Sequence, residues 1–245
     1  MVIVTTGDPT SSVRKTEVID VLSGETCADL ADFPFANEGA VGANLNGTPI
    51  VCGGHSSGYY QTCYNYTNAG WQQFTSMEKK RTFAAGVMSN NKLHIFGGFS
   101  GSSHLQTSEI ISMDGGVEYG PELPVAVSDH AITSINSTLS LLSGGTTDAT
   151  TYSPLTWFFD HENNVFSSGP SLLQGRRRHG SATCVDKVTK EKIPMVAGGQ
   201  SNVGGVYLTT NPSSLSQAAF LVRDLADNTD KVKISTDGSA NFSSN

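Results

Sequence analysis

Four glycine pairs, Gly53-Gly54, Gly97-Gly98, Gly144-Gly145 and Gly198-Gly199, recur along the chain, and each closes a short apolar run. The runs are Pro49-Ile-Val-Cys52, Leu93-His-Ile-Phe96, Leu139-Ser-Leu-Leu142 and Ile193-Pro-Met-Val-Ala197. Between second glycines the steps are 44, 47 and 54 residues, and a weaker copy, Val2-Ile-Val-Thr-Thr-Gly7, lies 47 residues before Gly54. Glycine pairs arise by chance in a chain with 26 glycines, but four in one phase with the same neighbours do not. Self-similarity at such a period marks an architecture in which one supersecondary unit stacks on the next.

The neighbours define the unit. Before each pair stands a strand of small residues and a tight turn: Gly39 to Ala43 then Asn46-Gly47, Phe83 to Val87 then Asn90-Asn91, and Ala131 to Ile135 then Asn136-Ser137. Asn-Gly between two strands is a hairpin signal because both central residues need positive φ. After each pair come a polar loop and a third strand, at Lys15 to Asp20, Thr62 to Asn65, Ser108 to Ile111 and Thr156 to Asp160, and then a fourth, more exposed one. Four short antiparallel strands cannot bury both faces alone, so each sheet must pack on the next, and the closed solution is a β-propeller.

These residues resemble the kelch-repeat propellers over roughly residues 1–210. The likeness lies in the double glycine after an apolar strand, an aromatic some ten residues on at Tyr64 or Trp157, Trp71 after Asn68-Ala-Gly70, and Arg81 or Arg178 opening the next repeat. Trp71 has no tryptophan counterpart elsewhere, and the first copy carries Thr6-Gly7 instead of a pair. The resemblance and the repeat together imply an all-β, kelch-like propeller spanning residues 1–245 with about five four-stranded blades. The modules fall near 36–77, 81–124, 128–173 and 178–223, with 1–34 joined by the carboxyl-terminal tail. Residues 1–34 supply only three strands, so the ring is expected to close through both chain ends, with Lys231 to Ser235 as the added strand and Val206 to Arg223 completing the fifth blade.

Composition narrows the function. A net charge of -7 with only 15 Lys and Arg leaves no basic face for a nucleic acid backbone, and there is no apolar run long enough to span a membrane. The first residues, Met1 to Gly7, lack the cationic start and apolar stretch of a secretory signal. Four cysteines are too few for a disulfide scaffold. Cys52 and Cys63 fall on the second and third strands of one sheet, where antiparallel pairing brings them within disulfide reach. Their bridge implies an extracellular chain, and two buried thiols imply a cytoplasmic one. Cys27 and Cys184 fall on distant strands. Of the sequons at Asn46, Asn65, Asn136 and Asn241, Asn46 and Asn136 already serve as turn residues, which leaves Asn65, at the end of a third strand, as the glycosylation candidate.

The loops after each second strand and those leading into each first strand emerge on one face of a propeller, the default binding surface. Here they carry His55, Tyr59, Tyr60, Arg81, Phe99, His104, Asp129, His130, Tyr152, Arg176, Arg177, Arg178 and His179. Arg81, Arg178, His130, Tyr60 and His55 are the candidate ligand-binding residues, since loop aromatics and arginines are common protein contacts. Arg81 and Arg178 equally suit a structural role, hydrogen-bonding blade carbonyls. Arg176-Arg177-Arg178 is a run of three adjacent arginines and suits an acidic ligand. His94, within a second strand, reads as a packed residue. No metal set, cofactor motif, nucleophile elbow or phosphate loop is present, and the Tyr-His pair that propeller oxidases resembling this family need is missing. The expected function is a non-catalytic, secreted binding or scaffold module for a protein segment or an acidic glycan. Two alternatives are a glycan-modifying propeller, sialidase- or oxidase-like, and an intracellular substrate adaptor.

Overall fold

The computed structural model describes residues 2–5, 14–19, 26–27, 30–148, 150–186, 188–201, 220–224, 229–234 and 240–242. Every regular element among them is a β-strand, and none is a helix that could cross a membrane. The chain divides into two compact units, Met1–Ser128 and Asp129–Asn245.

In the first unit β1 (Val2–Thr5), β2 (Thr16–Ile19) and β3 (Thr26–Cys27) form a three-stranded antiparallel sheet. Next come two four-stranded meanders. One is β4 (Val41–Leu45), β5 (Thr48–Cys52), β6 (Thr62–Thr67) and β7 (Gly70–Ser76). The other is β8 (Ala85–Ser89), β9 (Lys92–Phe96), β10 (Ser108–Ile111) and β11 (Val117–Tyr119). The turn chemistry is as predicted: Asn46 and Gly47 have φ of 50° and 88°, and Asn90 and Asn91 have 49° and 58°. Asn44 also accepts the Gly47 N–H at 2.6 Å.

Strand alternation places Val41, Leu45, Ile50 and Cys52 of one meander against Leu93, Ile95 and Ile111 of the next, in one apolar core closed by Met77. β4 packs on β8, and a Cβ at Gly86 would run into Val41 there, which explains the small residues of the first strands. Toward β1, Phe33, Val51 and Trp71 form a second cluster, and the Trp71 indole N–H donates to Thr16 Oγ1 at 2.9 Å, tying one sheet to its neighbour.

Cys52 and Cys63 stand directly opposite in the β5/β6 register and are joined by a disulfide, with Cα atoms 4.0 Å apart. Cys63→Ser is expected to lower unfolding free energy by about 2–3 kcal/mol, the loss anticipated for a short cross-linked loop. Urea denaturation of both forms checks this, and an unchanged midpoint would show the bridge to be dispensable.

In the second unit β12 (Ala131–Ser134), β13 (Leu139–Ser143), β14 (Thr156–Asp160) and β15 (Val165–Ser168) make a third four-stranded meander. β16 (Arg176–Arg177) pairs with β19 (Gln200–Ser201), and β17 (Gly180–Val185) pairs with β18 (Lys192–Ala197). β17 packs on β12, and Cys184 on β17 is an exposed free thiol. The remaining sheet is β20 (Phe220–Asp224), β21 (Thr229–Ile234) and β22 (Ala240–Phe242).

The segment from Lys231, expected as the strand that closes the ring, lies in β21, whose bonded neighbours are β20 and β22. Alternation of apolar residues marks a strand without saying which edge it joins. One expected placement is corrected: Asn65, expected at a strand end, sits inside β6, paired with Ile50 and Gln72 and half-buried, because β6 runs two residues further than the sequence pattern marks. Of the segment expected to complete the fifth module, residues 206–219 lie outside the described residues.

Candidate functional site

Each glycine pair anchors a set of bonds that gives the repeat its true phase. The second glycine donates its N–H to a carbonyl at the start of the following module: Gly54 to Arg81 at 2.9 Å, Gly98 to Val127 at 2.9 Å and Gly145 to Arg176 at 2.8 Å. Both glycines of each pair have positive φ, and a Cβ at Gly54 would collide with the Asn37 amide. Positions 37, 81, 127 and 176 are therefore equivalent. Three of them carry a donor that reaches the first glycine of their own module: Asn37 Nδ2 to the Gly53 carbonyl at 2.9 Å, Arg81 Nη1 to Gly97 at 2.6 Å, and Arg176 Nη1 to Gly198 at 2.9 Å.

This geometry revises the role expected of Arg81 and the pairing of Arg81 with Arg178. Arg81 is fully buried, donates further to the Thr107 carbonyl at 3.1 Å, and pairs with the equally buried Glu109 at 2.5 Å. Both Nη groups are spent inside the module, and Nε is buried without a partner among the described residues. Its counterpart is Arg176. Arg178 instead occupies the position of Phe83 and Asp129, all with φ near 50°, and its half-exposed Nε donates to Asp129 Oδ1 at 2.8 Å.

In the first unit the loops meet as predicted, through bridges between Glu38 and His55, His55 and Tyr59, Thr82 and Phe99, and Phe99 and His104. His55 is clamped, with Nε2 2.9 Å from Glu38 Oε1 and Nδ1 3.0 Å from Thr82 Oγ1. Because the carboxylate only accepts, the ring proton belongs on Nε2. Tyr59 stacks on His55 with centroids 5.5 Å apart, Phe83 meets His55 edge-on at 5.3 Å, and Phe99 lies between Tyr59 at 6.0 Å and His104 at 5.3 Å. His104 is in turn held by Ser128 Oγ at 3.1 Å. The result is a ridge of half-buried rings on loops, orientated from beneath by polar contacts. Tyr60 is not part of it; its ring packs on Phe35 at 4.8 Å, on the side of the Trp71 cluster.

In the second unit His130 and His179 share one repeat position, three residues after Val127 and Arg176, where the earlier modules carry Ala40 and Ala84. Both are more than nine-tenths buried. His179 Nε2 lies 3.0 Å from Ser143 Oγ, and Ser143 faces Ala131, the residue after His130, in the β12/β13 register. Burial and the neighbouring His179 push the His130 imidazole down to about 3, and burial with the Arg176 charge pushes His179 down to about 4. Both rings are neutral at neutral pH. Arg177 lies over the Tyr152 ring at 4.7 Å and donates to Gln200 Oε1. The three adjacent arginines thus separate into a buried tie, a stacked residue and an ion-paired one. His94 is buried beside Phe96, as expected for a packed residue.

Of the five candidate ligand-binding residues, the structure gives His55 a place on a ridge, His130 a place in a buried cluster, and Arg178 a half-exposed ion pair. Tyr60 and Arg81 belong to packing. Phe83 on the ridge and the tie residue Asn37 were missed from the sequence. The recurring offset between glycine pair and tie residue would have found Asn37.

No family model matches the chain, and no curated protein matches it. A solved structure titled "Structure of YjhT" is similar over 93% of this chain and 86% of that chain, with a TM-score of 0.69 and 13% sequence identity. At that identity the likeness concerns the fold alone. With the four-stranded antiparallel sheets it fits a β-propeller, and the kelch family and the number of blades rest on the sequence resemblance.

Proposed function

We propose that this chain is a non-catalytic binding or scaffold module of the extracellular space, taking a protein segment or an acidic glycan on its repeat loops. The observation that carries this reading is the ridge of Tyr59, Phe83, Phe99 and His104 around the clamped His55. Rings held half-exposed on loops supply large contact area at little cost in side-chain entropy, which is how binding surfaces are built. The Cys52–Cys63 bridge supports an oxidising compartment.

Binding of the oxidised protein to arrays of glycans and peptides is the direct test. Tyr59→Ala and Phe99→Ala should each weaken a hit by about tenfold, as removal of an aromatic anchor does, while leaving the melting temperature within a few degrees. Melting that collapses with binding would make the ridge a packing feature instead. A second reading, a glycan-modifying enzyme, draws on the adjacent neutral His130 and His179. It requires turnover of a glycan that His130→Gln abolishes.

A further inference from the structure

Position 176 carries a buried charge that its counterparts either lack or pair. Arg81 is neutralised by Glu109, and position 127 is the apolar Val127. Arg176 is only about 3% exposed, yet among the described residues it has no carboxylate partner, and its one side-chain bond runs from Nη1 to the Gly198 carbonyl. Among the described residues its Nε is buried without a partner, as Nε of Arg81 is, and beside it Nδ1 of His179 and both ring nitrogens of His130 are likewise unpartnered. A buried cation and four unsatisfied nitrogens in three neighbouring side chains are costly unless something enters to satisfy them.

We propose that Arg176, His179 and His130 form a buried receptor for the carboxylate of a small organic acid or of the terminal acidic sugar of a glycan. The Nη1 bond to Gly198 leaves the Nε/Nη2 edge of the guanidinium, the fork that holds both oxygens of a planar carboxylate. With both imidazoles neutral the cluster carries one positive charge, which matches a monoanion and not a doubly charged phosphate. Each neutral ring still brings one N–H donor. The proposal deepens the binding-module reading by naming the group recognised, and it concerns residues distinct from the aromatic ridge.

The test is a titration of the full chain at pH 7 and constant ionic strength with sodium glucuronate, sodium acetate and glucose, followed by imidazole NMR and thermal melting. The two carboxylates should move the His130 and His179 resonances saturably and raise the melting temperature, whereas glucose should do neither. Glucuronate binding far above acetate assigns the site to a glycan end, and equal binding assigns it to a free acid. Arg176→Gln keeps an amide donor for the Gly198 carbonyl, as Asn37 has for Gly53, and should reduce binding at least tenfold. His130→Gln should weaken it severalfold without touching the tie. No saturable response, a response undiminished in both variants, or binding of a glutamyl peptide alone overturns the proposal. Continued ligand capture through Tyr59 and Phe99 in that event leaves the binding reading standing.

Discussion

Replacing Glu109 with alanine is expected to destabilise the protein by about 3–5 kcal/mol, the cost of removing one partner of a buried ion pair. Arg81 and Glu109 side chains are both at 0% exposure with Nη2 and Oε1 2.5 Å apart. The same carboxylate also accepts the Glu78 N–H at 2.6 Å and the Lys79 N–H at 3.0 Å. Its loss leaves a guanidinium charge in the interior and two backbone donors without their acceptor. Glu109→Gln retains an acceptor and should cost less. The double variant Arg81→Met with Glu109→Leu should recover much of the loss, because the third meander already fills the equivalent places with Val127 and Trp157. Urea denaturation of the three variants forms the test. A change below about 1 kcal/mol for Glu109→Ala, well under the range for buried pairs, would mean that the pair does not hold the module together.

The same comparison of modules shows what could be read in the sequence and what could not. Glycine pairs and Asn-Gly turns are legible because their residue types answer to backbone geometry, and they set all the meanders and the opposition of Cys52 and Cys63. Arg81 and Arg176 were harder to match, because loops of differing length separate them from the preceding glycine pairs. Similarity of residue type therefore favoured Arg178, and only the glycine N–H to carbonyl bond resolves the phase. The histidine pair was hidden for a related reason. A repeat position that holds alanine in two modules holds His130 and His179 in two others, and nothing local to those residues announces burial. The partner of the tail strand was not legible on another ground, since strand pairing is a long-range choice that an alternating pattern does not specify.

That buried pair leads to a pH dependence of definite sign. Both rings have an ordinary value near 6.5 when exposed, and in the folded protein His130 is pushed down to about 3 and His179 to about 4. As pH falls below about 6.5 the unfolded chain takes up two protons that the folded chain refuses, so stability falls through this window. The loss levels off only below the folded values. The charged neighbours do not counter this: His179 opposes a charge on His130, Arg176 opposes one on His179, and Asp129, next in sequence to His130, is paired with Arg178. Shifts of this size correspond to a few kcal/mol for each ring. His130→Ala restores the residue of positions 40 and 84 and should flatten the stability curve between pH 6.5 and 4 relative to the parent. Chemical denaturation at several pH values separates this from general protonation of carboxylates, which both proteins share. Parallel curves for parent and variant would show that His130 takes up its proton as readily folded as unfolded. Bound carboxylate should act in the opposite direction, raising the imidazole values and moving the onset of acid destabilisation to lower pH.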